Sequence, residues 1–216
     1  MGRAKNIQHS IAAEGAGRRR RAMKRRLLAA GCWVLLFAGA HAADDTTLRA
    51  WFEPKSMRAP ATLPIRNAER TEIAFGRWTG DGLQPFARGE CEPSPELLAA
   101  AAANAAADLA VLHPRYARDR RKVIQYAELS STQPIVASAV LAPKFLRLFK
   151  DTLGDAVLVV VPNRYTAYVF PQLASHYQDY YPMVFEAYHE TAYPISVELF
   201  EFSPEGIRAV GVFERP

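Results

Sequence analysis

Four side chains near the end of the chain, His176, Asp179, Glu186 and His189, have the types and spacing of a metal site. Imidazole and carboxylate groups bind zinc and other transition metals, and residues three apart share a helical face. Such a site, on a helix over 174–191, would make the chain a metal-dependent hydrolase. The two pairs lie about 80° apart around a regular helix, so they converge only at a kink. The alternative is the solvated polar face of an amphipathic helix.

A second candidate is a run of cations that could bind a phosphate, a lipid headgroup or an acidic polymer. Five of the eight residues over 115–122 are basic: Arg115, Arg118, Arg120, Arg121 and Lys122. Guanidinium groups bind phosphate and carboxylate in a fixed fork. The alternative is a hydrated connection whose charges keep a surface loop in solution.

Arg164 is a further candidate for binding an anionic ligand. It follows Pro162 and Asn163 in a predicted turn between two apolar runs, where its guanidinium could reach a ligand carboxylate. The alternative is that it satisfies backbone carbonyls or a nearby acid of the chain itself.

The sequence assigns no catalytic residue and no cofactor. It contains neither an H-E-x-x-H pair, nor a G-x-S-x-G elbow, nor a phosphate-binding loop. A non-catalytic binding or accessory role is therefore the first hypothesis, and the metal-dependent hydrolase is its alternative. A tyrosine-rich surface could bind a protein partner, or it could seal a helix onto a sheet. Its members are Tyr165, Tyr168, Tyr177, Tyr180, Tyr181, Tyr188 and Tyr193.

The basic character of the chain belongs to its first 42 residues. Nine of the 27 basic residues and one of the 22 acidic residues precede Ala43. The remainder has 18 basic and 21 acidic residues, a net charge of −3. A net acidic, exported chain disfavours nucleic acid as the partner.

The basic segment has the three parts of a secretory signal. Residues 23–26 are a positive region, 27–38 an apolar run, and Ala40-His41-Ala42 a small-x-small cleavage site. The apolar run is shorter than the roughly 20 residues that span a bilayer, so no permanent membrane anchor is expected. We expect cleavage after Ala42 and a periplasmic or secreted product in a bacterial envelope. Residues 1–22 precede a complete signal and are expected to be an annotation extension or disordered.

One apolar hairpin, over 155–170, organises the rest of the predicted fold. Residues 156–161 are apolar without interruption, which indicates a strand buried on both faces. The segment 43–70, with scattered prolines, is expected to be an extended arm before a single domain over 71–216. After cleavage, Cys91 remains without a disulfide partner.

The expected fold class is α+β, a mainly antiparallel sheet built from hairpins with helices packed on one face. The other predicted elements are a hairpin over 71–86, a helix over 94–112, a strand over 123–129, a short helix between Pro134 and Pro143, a helix ending at Gly154, a helix that begins near Asp179 with Pro182 in its first turn, and a hairpin over 195–213.

Residues 94–213 carry a resemblance to a known family. The helix containing Asn104, the Ala137-Ser138 segment, Gly154-Asp155, Pro162-Asn163-Arg164 and Tyr193-Pro194-Ile195-Ser196 resemble, in order and spacing, the uncharacterised YtpQ-like bacterial proteins. In that family an acid usually follows the arginine, where this chain has Tyr165. The resemblance implies the fold and no established activity.

Overall fold

The computed structural model describes residues 46–80 and 82–214, which contain ten strands and four α-helices. The strands are β1 Leu48–Pro54, β2 Thr62–Pro64, β3 Thr71–Thr79, β4 Gly82–Pro85, β5 Arg115–Arg118, β6 Ile124–Ser130, β7 Val157–Asn163, β8 Thr166–Pro171, β9 Glu198–Ser203 and β10 Gly206–Val212. The helices are α1 Pro95–Ala110, α2 Val136–Ala139, α3 Phe145–Leu153 and α4 Tyr181–His189, with short 3-10 helices at Lys55–Met57 and Tyr177–Tyr180. These elements belong to one compact unit.

The larger sheet has six antiparallel strands in the order β10-β9-β7-β8-β6-β5. The predicted hairpin lies at its centre, and β7 is buried along its whole length, as expected. The chain reverses at Arg164 and Tyr165, so Pro162 and Asn163 lie inside β7 and not in the turn. A register shift between Val160 and Asn163 accommodates the proline, which cannot donate to the ladder.

The smaller sheet has β3 at its centre, with β1 along one edge and β2 and β4 along the other. The prediction of an extended arm over 43–70 is wrong for the described part of that segment, which supplies β1 and β2. Trp51 and Phe52 of β1 are fully buried. Their aromatic area, once removed from water, favours packing on the core over a solvated arm.

Helices cover both faces of the six-stranded sheet. Alternate β7 residues, Val157, Val159 and Val161, join the main core with α1, α2, α3 and the smaller sheet. Leu158 and Val160 join a second cluster with α4. The α+β class and the antiparallel hairpins are confirmed, but α4 lies on the face opposite the other helices, because a strand that is apolar on both sides needs cover on both.

Local sequence signals predict the start of α1 correctly and the start of α4 incorrectly. Ser94 accepts a hydrogen bond from the Leu97 amide at 3.1 Å and caps α1, as predicted. The helix predicted to start near Asp179 begins at Tyr181, after the 3-10 helix Tyr177–Tyr180, and Asp179 does not cap it. Pro182 occupies the first turn, where its missing N–H is tolerated.

Candidate functional site

The β5–β6 hairpin carries the predicted basic cluster at the edge of the larger sheet. Its turn is fixed by Asp119, whose Oδ1 accepts hydrogen bonds from the amides of Arg121 and Val123, both at 2.8 Å. The Asp119 amide donates to the Val123 carbonyl at 2.9 Å. Lys122 takes a left-handed conformation, φ 65°, which closes the turn. Asp119, the single acid of this segment, is therefore hydrogen-bonded to the backbone, and the cations remain exposed to solvent.

Four of the five basic residues lie together at the turn, which we call the basic tip: Arg118, Arg120, Arg121 and Lys122. All four are exposed. Among residues 46–80 and 82–214, no carboxylate forms a salt bridge with any of them. Arg118 donates to the Lys122 carbonyl at 3.0 Å, which holds its side chain across the turn. Four cations and one carboxylate give residues 118–122 a net charge of +3, on a body that is otherwise net acidic.

Arg115, the fifth predicted member, lies apart from the basic tip at the other end of β5. Its Nη2 donates to Glu128 Oε1 at 2.6 Å across the β5–β6 pair. This hydrogen bond raises the pKa of the Arg115 guanidinium. The prediction that Arg115 binds the same ligand as the other four is not supported, because its charge is already paired.

Arg164 is buried and faces the interior of the protein. Its Nη2 lies 3.0 and 3.1 Å from the two carboxylate oxygens of Glu53, and its Nη1 donates to the Leu83 carbonyl at 3.4 Å. The indole Nε1 of Trp51 donates to Glu53 Oε2 at 2.6 Å. The guanidinium also packs over the ring of Tyr193, 5.1 Å from its centroid. The ligand-binding role proposed for Arg164 is therefore wrong, and the alternative of a nearby acid is correct.

The proposed metal ligands do not converge. His176 and Asp179 lie in or beside the 3-10 helix before α4, whereas Glu186 and His189 lie on α4, and all four are exposed. The ring of His189 packs on Phe185, with centroids 4.1 Å apart. In the described part of the chain, no three His, Cys, Asp or Glu side chains are close enough to hold a metal ion. Exposed polar groups on an amphipathic segment account for this pattern.

Most tyrosines of the tyrosine-rich surface pack into the second cluster, on the face of the larger sheet that α4 covers. Tyr180 packs edge-on to Tyr126 at 5.0 Å and against Phe170 at 5.5 Å, and Tyr177 packs on Phe213 at 5.4 Å. Burial raises the pKa of Tyr168 to about 12, with a further contribution from the charge of Glu128. These rings attach the segment before α4 to the sheet, and little of their area is left for a partner.

Two acids that the sequence analysis did not single out hold distant segments together. Glu53 pairs with Arg164 as described, and Glu198 on β9 accepts hydrogen bonds from the segment before and at the start of β3. Its donors are the amides of Glu69 and Arg70, at 2.8 and 3.2 Å, and the Thr71 hydroxyl at 2.6 Å. Each acid interrupts an apolar strand pattern in the sequence, and this interruption could have identified it. A buried carboxylate needs several hydrogen-bond donors, so such an acid is expected to contact other segments.

Two open clefts flank the segment that binds Glu198. The larger, about 610 Å³, lies against β10 and includes Arg70, Arg208 and Glu214. The smaller, about 340 Å³, includes Lys55 and Tyr188. Lys55 donates to the Ala68 carbonyl at 2.7 Å, and Arg208 pairs with Glu201. Lys55 and Arg208 are therefore used within the chain, while Arg70 is exposed and lines both clefts. The larger cleft also contains Glu69, Glu198 and Glu214, so its charge is mixed, unlike that of the basic tip.

Cys91 is a free, half-buried thiol. Burial and the neighbouring carboxylate of Glu90 raise its pKa. A raised pKa lowers the fraction of thiolate, which is the reactive form of a cysteine, so this environment does not activate the Cys91 thiol.

No protein-family model, curated protein or solved structure matches the chain. The resemblance of residues 94–213 to the YtpQ-like proteins stays a prediction. Along residues 46–80 and 82–214, no helix is both long and apolar enough to cross a bilayer. The predicted signal at 23–42 and the segment 1–22 lie outside the described residues.

Proposed function

We propose that this chain is an exported, non-catalytic binding factor of the bacterial cell envelope that binds an anionic component through the basic tip. The observation that carries the proposal is the group of four exposed cations, Arg118, Arg120, Arg121 and Lys122, that no described carboxylate neutralises. Arginine pairs readily with phosphate and carboxylate through two parallel hydrogen bonds. The secretory signal predicted from the sequence at 23–42 supports export.

The rest of the site favours binding over catalysis. The turn presents cations, while its one acid, Asp119, is held by two backbone amides and is not placed to act as a base. The tip is a hairpin end on a rigid sheet, and such an end can present charge to a ligand with little loss of conformational freedom on binding.

The experiment compares the chain from Ala43 onward with two variants that remove the same charge. The tip variant is R118Q/R120Q/R121Q/K122N, with asparagine at the left-handed position because it tolerates that conformation. The control is R58N/R88Q/K144Q/R147Q, which removes four other exposed cations, including the left-handed Arg58.

Binding to inorganic polyphosphate is measured by fluorescence anisotropy at several salt concentrations. We expect the tip variant to lose roughly 1,000-fold in affinity, since each of the four cations contributes on the order of 1 kcal/mol near an anionic surface. The control keeps most of the wild-type affinity, and wild-type binding weakens as salt rises. Equal losses in the two variants, or no binding by wild type, contradict the proposal.

A protein partner at the part of the tyrosine-rich surface that stays exposed is the second candidate. Phe185 stacks on Tyr181 with centroids 5.0 Å apart and is 40% exposed, and Tyr193 is 46% exposed. Exposed aromatic rings are enriched where proteins dock. Crosslinking in intact cells tests it: a specific adduct that is lost in F185S and kept in V210S, a change at another exposed apolar residue, supports this candidate.

A further inference from the structure

Two exposed aliphatic side chains lie at the same end of the six-stranded sheet as the basic tip. Val123 directly precedes β6 and is 55% exposed, and Leu173 follows the end of β8 and is 91% exposed. β6 and β8 pair antiparallel, with Ala127 opposite Val169. The start of β6 and the end of β8 therefore lie side by side, and the two aliphatic residues flank one corner of the sheet.

The charge at this corner is positive. Val123 follows Lys122 directly in the chain, and the two amides at 121 and 123 occupy the carboxylate of Asp119. Asp155, at the start of the neighbouring β7 hairpin, pairs with Lys150 at 3.2 Å. Asp179 is an exposed acid beside Tyr180, whose pKa is raised first by burial and also by the charges of Asp179 and Asp119. The four cations at residues 118–122 outweigh the charge of Asp179.

An end of the sheet that combines exposed cations with exposed aliphatic groups fits a particular chemistry. A soluble phosphate can be held by the cations alone and gains nothing from Val123 or Leu173. A bilayer of anionic phospholipid offers phosphates to the cations and, just below them, an apolar region to the aliphatic side chains. The two clefts described above are lined by other segments.

We infer that this corner docks peripherally on an anionic phospholipid surface, with Arg118, Arg120, Arg121 and Lys122 at the headgroups and Val123 and Leu173 entering the interface. This inference rests on the proposed function, of which it names the ligand. The docking is reversible and depends on salt, because it combines screened charges with two small apolar groups.

The test is co-sedimentation of the chain from Ala43 onward with vesicles of phosphatidylcholine, with or without phosphatidylglycerol. Wild type is expected to bind the anionic vesicles and not the neutral ones. The variant V123S/L173S is expected to lose roughly tenfold in vesicle affinity while its polyphosphate affinity stays within about twofold of wild type. The matched control M57S/V111S alters two other exposed apolar residues, each 65% exposed, and is expected to bind as wild type does.

The outcomes distinguish failure of the lipid inference from failure of the proposed function, provided that circular dichroism shows every variant folded. Vesicle binding by V123S/L173S equal to wild type overturns the lipid inference. Polyphosphate binding by wild type without vesicle binding overturns the lipid inference and leaves the proposed function standing. Binding to neither probe overturns both.

Discussion

Arg164 and Glu53 are 111 residues apart in the chain and meet in the interior, with the Arg164 Nη2 atom 3.0 and 3.1 Å from the two carboxylate oxygens. The pair joins the turn of the central β7–β8 hairpin to β1 of the smaller sheet. Trp51 donates a third hydrogen bond to the same carboxylate at 2.6 Å. Among residues 46–80 and 82–214, no other charged side chain forms a salt bridge with either residue, so this contact between the two sheets depends on both.

Breaking this pair should destabilise the fold strongly. Arg164→Met leaves a buried carboxylate, and Glu53→Gln leaves a buried guanidinium without a counter-charge, so each should lower the free energy of unfolding by about 3–5 kcal/mol. The double variant should cost less than the sum, because neither charge is left unpaired. Urea unfolding followed by circular dichroism measures all three. Additive losses would show that the two residues do not interact. The exposed pair Arg115–Glu128 is the control, and R115M is expected to be near neutral.

The hydrogen bond from Thr71 to Glu198 should matter for stability as well. Thr71→Val keeps the shape of the side chain and removes a donor to a buried carboxylate, so we expect a loss of about 2 kcal/mol in the free energy of unfolding. Thr62→Val, at a half-buried threonine of β2, is the matched control and should cost much less. Equal effects at the two positions, measured by urea unfolding, would contradict the role assigned to the Glu198 contact.

Gly76 should tolerate no side chain. A Cβ atom at this position would lie 1.9 Å from the backbone oxygen of Gln84 on the paired strand, which cannot move without breaking the β3–β4 ladder. We expect Gly76→Ala to cost about 2–4 kcal/mol or to prevent folding. Gly80→Ala is the control, because its Cβ would meet nothing within 4 Å. Thermal unfolding of the two variants measures this difference. Similar melting temperatures would contradict the close approach of Gly76 to the Gln84 backbone.

The buried tyrosine on β8 should make stability fall in alkali. Burial raises the pKa of Tyr168 to about 12, above the ordinary value of about 10. Between these values the folded chain retains a proton that the unfolded chain has lost, so the free energy of unfolding decreases as pH rises through this window and is unaffected by the group below it. Tyr168→Phe should show a shallower decrease in urea unfolding across the same range. If the free energy of unfolding falls with pH equally steeply in the variant and in wild type, the raised pKa of Tyr168 is contradicted.

The sequence determined the features that depend on neighbours in the chain. The serine cap of α1, the uninterrupted apolar run of the central hairpin and the charged turn after β5 all depend on hydrogen bonds or patterns within a few residues. Of the five cations of the predicted basic cluster over 115–122, the four at residues 118–122 lie exposed for the same reason, since a run of charges in a short turn has no interior to enter.

The tertiary structure decided what those elements touch. It gave Arg164 a partner in a segment expected to be an arm, paired Arg115 with Glu128, separated the four proposed metal ligands and placed α4 on the opposite face of the sheet from the other helices. Each of these outcomes depends on which apolar faces meet in the core. That choice is made by long-range packing between residues up to 129 positions apart, and local pattern does not encode it.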